Sequence, residues 1–359
     1  MSEEVYRKLA ERLDAIPNGF PATQSGIELR LLAKIFTPHE AALASVMRLT
    51  CEPAADIAAR AGMEAAAAYR VLKEMVRKGL IRAQKGQREL TFGLMPFVVG
   101  IYEEQLPRID AELAGLFETY YQETQAGITR HAPALHRVIP VEQAVPFDVE
   151  IFPHEWAQEL LQGAKAWGVR DCICRVQRRL VDMGCEHPVE NCLVFAPVED
   201  AFVGSQATRP VSLDEALRIL HEAEEAGLIH STANYRDGHF YICNCCVCCC
   251  GVMRGLAEFG IPTAIAHSDF RATVDPDLCV ACGECVQRCH FGALSIPEYV
   301  CQVDYARCMG CGLCTMACTS GALHLERRLE GEVPLPPGNI AEWMAERAQQ
   351  RHISLLDVL

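Results

Sequence analysis

Cysteine carries the chemistry of this chain. From Cys279 the sequence runs C-V-A-C-G-E-C-V-Q-R-C, and eighteen residues after Cys289 it runs C-M-G-C-G-L-C-T-M-A-C, ending at Cys318. Both stretches are C-x-x-C-x-x-C-x-x-x-C, a spacing that lets three consecutive thiolates wrap one cubane of iron and sulfur. The fourth cysteine of each run lies too far along to close the same cube and crosses to the other. Cys279, Cys282, Cys285 and Cys318 are thereby assigned to one [4Fe–4S] cluster, and Cys289, Cys308, Cys311 and Cys314 to a second. A zinc site needs only C-x-x-C pairs and would leave the third and fourth cysteine of each run without purpose.

Ten further cysteines lie between Arg170 and Gly251. Cys172 and Cys174 stand in C-I-C-R, and Cys185 and Cys192 in G-C-E-H-P-V-E-N-C-L-V-F. The others fill I-C-N-C-C-V-C-C-C-G: Cys243, Cys245, Cys246, Cys248, Cys249 and Cys250. Six cysteines in eight positions cannot all be small buried apolar residues, because neighbours on a strand or helix face different ways. Two or more must reach a common soft metal. Cys172, Cys174, Cys185 and Cys192 supply one four-sulfur set, which the Cys243–Cys250 run could complete, exchange with or supplement. At least one further [4Fe–4S] cluster is expected there, with zinc as the competing metal and not all ten as ligands. Arg175 beside the ligands would offset cluster charge. His187 reads as a surface or capping residue, and Cys51 and Cys301 as core thiols.

With 359 residues the chain can hold two or three cores. Its opening shows no charged start followed by an apolar run, and no stretch approaches the eighteen apolar residues of a membrane span. Unpaired thiolate ligands then point to a reducing cytoplasm. Residues 1–95 carry fourteen Lys/Arg against eleven Asp/Glu, so the formal −14 of the whole chain is concentrated after them. That acidic remainder excludes nucleic acid and anionic lipid as its partners.

The elements that must position the thiols are legible in part. In residues 1–95, T-P-H-E-A-A-L starts a helix with a cap, proline and early glutamate; 52–62 and 64–78 read as two more, each stopped by glycine. Leu80–Gln84 and Arg88–Phe92 then read as a hairpin, which makes this domain a winged helix. The leading residues of its second helix-turn-helix helix, Glu64-Ala-Ala-Ala-Ala-Tyr-Arg, lack bidentate base-reading side chains, so DNA is a disfavoured partner and Lys85 and Arg88 could reach phosphates only. A long helix interrupted at Pro107 links over 96–130, and helices are expected at Glu155–Trp167, Val211–Gly227 and Ile340–Arg351. The fold class is therefore multidomain α+β: winged helix 1–95, linker 96–130, an α-rich cysteine-containing middle domain 131–270, a ferredoxin-like two-cluster domain 271–328 and a tail 329–359.

The segment from Ala272 to Arg327 resembles a bacterial-type two-cluster ferredoxin. Phe291-Gly-Ala-Leu and Ser320-Gly-Ala-Leu are matching turns, with short strands at 294–296 and 323–325 and lead-ins at 272–274 and 301–304. The family usually has proline after the fourth cysteine, where this chain has His290 and Thr319. The order F-P-A-T-x-S-G, winged helix, C-I-C-R, C-E-H-P-V-E-N-C-L-V-F, I-C-N-C-C-V-C-C-C-G-V-M-R-G-L and two ferredoxin runs is similar to the 4Fe–4S dicluster proteins of anaerobic bacteria and archaea. That resemblance implies iron–sulfur electron transfer and no particular reaction.

Three classes follow. The first is an electron-transfer protein whose partner is a redox protein or oxidoreductase complex, with a second copy of the chain as a further candidate partner. The second is a redox-responsive regulator acting through the winged helix. An enzyme is the third, without support from a P-loop, a dinucleotide fingerprint or a nucleophile elbow.

Overall fold

Capping explains the first helices. Thr37 accepts from the Glu40 N–H while the Glu40 carboxylate takes the Thr37 N–H at 2.8 Å, so the helix starts at Pro38 with its first donors satisfied. The computed structural model describes residues 2–86, 89–141, 144–145 and 152–359. It divides into two compact units, Met1–Ala132 with Gln177–Met183 and Met344–Leu359, and Pro133–Val176 with Gly184–Trp343.

The first unit contains α1 (Ser2–Asp14), α2 (Ile27–Ile35), α3 (Pro38–Ala44), β1 (Glu52–Pro53), α4 (Ala54–Ala61), α5 (Ala65–Arg77), β2 (Ile81–Lys85), β3 (Leu90–Leu94) and α6 (Ala111–Glu123). The short sheet is antiparallel in the order β1-β3-β2. Leu72 and Met75 of α5 bury against this core, whereas Ala65, Ala66 and Arg70 stay exposed. Arg88 of the expected hairpin lies outside the described residues. The long linking helix is not continuous: residues at 98–100 have extended backbone, a 3₁₀ turn spans Glu103–Arg108, and α6 begins only after Asp110 caps Leu113. Pro107 lacks the N–H a continuing helix needs.

The second unit holds β4 (His136–Ile139), α7 (Ala157–Gln162), β5 (Ala166–Asp171), α8 (Ile173–Leu180), β6 (Glu190–Ala196), β7 (Arg209–Val211), α9 (Leu213–Glu225), β8 (Ile229–Ala233), β9 (Tyr241–Cys245), α10 (Gly251–Phe259) and β10 (Ile265–Ala266). It continues with β11 (Phe270–Val274), α11 (Glu284–Arg288), β12 (Leu294–Ser295), β13 (Gln302–Val303), α12 (Leu313–Met316) and β14 (Leu323–Arg327); α13 (Ile340–Gln350) starts in this unit and belongs to the first from Met344 on.

The α-rich middle domain expected from sequence is corrected here. Seven strands form one mostly antiparallel sheet in the order β10-β4-β8-β9-β6-β5-β7. Trp167, expected in a helix, lies in β5 paired with Phe195. Central β8 is buried throughout although His230, Ser231 and Thr232 are polar, because those groups are satisfied. His230 bonds Asn244 at 2.6 Å and Thr232 donates to the Tyr241 carbonyl at 2.7 Å. Apolar residues of α7 and α9 cover one part of the sheet with Val169, Leu193 and Ile242. A second core joins Ile229 and Met253 to Phe270, Phe291 and Leu325 of the ferredoxin-like segment.

Candidate metal centres

In the ferredoxin-like segment, β11 pairs antiparallel with β14, the first strand with the last, and β12 with β13, so the two cysteine runs lie between two antiparallel strand pairs. Cys279, Cys282, Cys285 and Cys318 line one cavity. Cys289, Cys308, Cys311 and Cys314 line another. Each cavity thus gathers three sulfurs of one run and the last of the other. Backbone N–H groups already point at these sulfurs: Cys301 to Cys279, Ala272 to Cys308 and Ala293 to Cys289, each at 3.4 Å. Such donors favour thiolate and fit an anionic cluster.

The glycines after the second cysteine of each run differ. Gly312 has φ +80°, and a Cβ there would fall 2.6 Å from Ala144 Cβ, so the chain must pass close. Gly283 has φ +83° but meets nothing within 4 Å, so conformation alone requires glycine. Burial pushes the Cys311 thiol up to about 12 and raises Cys314. Cys318 goes the other way: against burial, the Ser320 hydroxyl and the N–H groups of Leu323, Ala322 and Ser320 hold it below the ordinary thiol value.

The ten middle cysteines fall into two groups, divided differently from the sequence grouping. Cys185 joins Cys246, Cys248 and Cys249, whose four sulfurs all lie within 4.8 Å of one another. Cys185 is 3.9 Å from Cys246 and 3.5 Å from Cys249. Cys172, Cys174 and Cys192 instead form a chain of sulfur contacts with Cys243, Cys245 and Cys250. Strand alternation explains the split. Cys243 and Cys245 share one face of β9, and Cys246, one residue beyond its end, turns to the other. The six-sulfur group also collects Cys172 from the end of β5, Cys174 from the first turn of α8 and Cys250, the cap of α10.

Arg175 lies fully buried between these groups. It donates to Asn191 Oδ1 at 2.8 Å and to the Asn244 carbonyl at 2.6 Å, and it approaches Cys172, Cys245 and Cys246. Among the described residues no carboxylate pairs with it, so thiolate is its available counter-charge. Cys246 is drawn down to about 4, first by the Cys249 thiol and then by Arg175. Cys245 falls to about 6 through contact with Cys243 and Cys250. A thiol drawn toward thiolate inside a protein is suited to metal ligation.

Three residues carry contacts that spacing and residue type did not announce. His187 places Nδ1 3.3 Å from Cys185 Sγ. Cys301 is buried, as expected of a core thiol, but its sulfur is 3.6 Å from Cys285 against the first cavity. His290, which follows Cys289, donates from Nε2 to the Gly227 carbonyl at 2.7 Å. Cys51 is half-buried beside Gly93. His154, Glu155 and Asp269 also converge, but Arg327 and Arg137 already neutralise the carboxylates at 2.8 and 3.0 Å.

A family model for the 4Fe–4S binding domain matches residues 272–295 and 301–324. That makes the segment a ferredoxin-like iron–sulfur domain. No curated protein and no solved structure matches the chain. Among the described residues no helix is long and apolar enough to cross a membrane.

Proposed function

We propose that this protein relays single electrons through two [4Fe–4S] clusters of its ferredoxin-like domain to or from a redox partner. The observation that carries the reading is the pair of cavities, each lined by three cysteines of one run and the fourth of the other, with Cys301 also at the first. Cys279, Cys282, Cys285 and Cys318 would hold one cluster, and Cys289, Cys308, Cys311 and Cys314 the second. Bound there, each cluster supplies one-electron chemistry at a potential tuned by hydrogen bonds to sulfur and by burial. The N–H donors of Ala272, Ala293 and Cys301 provide that tuning.

The first cavity is the site for exchange with a partner. Cys282 is exposed, and Val280 beside it is 67% exposed, whereas Cys308 and Cys314 of the second set are buried. Acidic residues Asp275, Asp277 and Glu284 flank this rim and favour a basic partner surface. A further [4Fe–4S] cluster in the middle domain would use ligands from the six-sulfur group Cys172, Cys174, Cys192, Cys243, Cys245 and Cys250. Support comes from the shared apolar core, which includes Cys245 and Cys250 together with Cys285, Cys308 and Cys314. The order of three helices and the β1-β3-β2 sheet supports a winged-helix reading of the first unit, and its exposed alanines favour a protein-facing role over DNA. A cytoplasmic, anaerobic setting follows from thiolate chemistry.

The test is stopped-flow oxidation of the dithionite-reduced protein by an artificial one-electron acceptor. Wild type should discharge rapidly. Val280→Glu should slow the exchange with a bulky protein acceptor but not with a small one. Equal slowing with both, or no reducible centre, contradicts the reading.

A further inference from the structure

Four sulfurs can bind a metal in two geometries, and the spacing between them separates the two. A single tetrahedral ion with metal–sulfur bonds of about 2.3 Å spaces its four sulfurs about 3.8 Å apart. A cubane puts an iron–iron edge between each pair of terminal thiolates and spreads them much further. The chain contains both patterns. Among the described residues, no three of the eight ferredoxin cysteines have sulfurs within 4.8 Å of one another, but all of Cys185, Cys246, Cys248 and Cys249 do. The separations of 3.9 and 3.5 Å from Cys185 to Cys246 and Cys249 are those of a one-ion site.

We infer that Cys185, Cys246, Cys248 and Cys249 bind one zinc ion as a closed tetrathiolate site, separate from any cluster on the six-sulfur group. Four protein thiolates leave no position open for water or substrate, which is the pattern of structural zinc. Three ligands come from the tight loop after β9 and the fourth from the loop after α8, so the ion ties two segments sixty-four residues apart. Binding releases the remaining thiol protons and leaves a dianionic centre. Two neighbours answer that charge. The buried Arg175 guanidinium lies against Cys246, and His187 Nδ1 is 3.3 Å from Cys185 Sγ and 4.0 Å from Cys248 Sγ. Buried Ala223 and Leu228 supply the apolar wall behind Cys246 and Cys249. The ring of His187 lies 6.5 Å from that of His290, which follows the cluster ligand Cys289.

The inference stands apart from the electron-transfer reading, because zinc and iron are counted separately. The full chain, produced with both metals supplied and purified anaerobically, is measured by elemental analysis and zinc-edge X-ray absorption. About one zinc per chain is expected, with four sulfur neighbours near 2.3 Å. Cys248→Ser, at an exposed position, should lose the zinc and keep the EPR signals of the ferredoxin clusters. His187→Ala should keep all-sulfur ligation with affinity weakened about 10- to 100-fold. A zinc-free protein, iron at these four thiols, a nitrogen ligand, or zinc retained in Cys248→Ser overturns the assignment.

Discussion

Arg175 donates to the main-chain carbonyl of Asn244 at 2.6 Å, and this contact holds a fully buried cation at the base of the Cys245–Cys246 pair. The same side chain reaches Asn191, so α8 and the strands β6 and β9 meet at one guanidinium. Among the described residues no carboxylate pairs with it, and the cysteines Cys172, Cys245 and Cys246 approach it instead.

Arg175→Met should therefore destabilise the second unit. Removing one member of a buried, charge-compensated group costs about 3–5 kcal/mol. A lower thermal midpoint, with metal lost from the middle cysteines, is the expected result of calorimetry and metal analysis. An unchanged midpoint would show that the thiols are neutral and that Arg175 is spared by its two carbonyl partners alone.

Gly312→Ala and Gly283→Ala separate two demands on the ferredoxin frame. Both place a side chain at positive φ, which costs about 1–2 kcal/mol. Gly312→Ala adds the clash with Ala144, worth about another 1–3 kcal/mol, and should impair the centre at Cys289, Cys308, Cys311 and Cys314. Gly283→Ala should leave its centre assembled. Equal EPR intensity in both variants would contradict this.

His136 gives the second unit an acid-sensitive element. It is buried, neither ring nitrogen has a partner among the described residues, and burial lowers it to about 4 from 6.5. The unfolded chain then binds a proton that the fold refuses. Its contribution is complete above about pH 6.5 and is lost as pH falls from there toward 4, on the order of 3 kcal/mol in all. His136→Phe should flatten this part of the stability–pH profile and be neutral or stabilising at pH 7. A profile identical to wild type would exclude His136 as its source.

The ferredoxin runs were legible because ligand spacing there is local, and the strand expected at 323–325 from the turn after the second run is the start of Leu323–Arg327. The partition of the ten middle cysteines was not. It depends on which face of β9 each residue takes and on the long-range meeting of Cys185 with Cys249, neither of which is written in spacing. The sheet itself was hidden because β8 buries histidine, serine and threonine through cross-strand hydrogen bonds, so it lacks a hydrophobic signature. Helix starts at Thr37 and Ser212 were readable because each cap acts within three residues.

The first unit should give no base-specific DNA binding. Exposed Ala65 and Ala66 lead α5, and Lys73 and Arg77 on the same helix can meet only phosphates. Selection from random duplexes at physiological salt should return no motif. A clear consensus would instead support a redox-responsive regulator.

The central claim is that the crossed cysteine sets hold two interacting [4Fe–4S] clusters. EPR of the dithionite-reduced, anaerobically purified full chain, with iron and sulfide counted on the same sample, tests it most directly. At least about eight irons with matching sulfide, and a spin-coupled signal that Cys311→Ser reduces to that of an isolated cluster, is the predicted result. Fewer irons, or a Cys311→Ser signal identical to wild type, would contradict it.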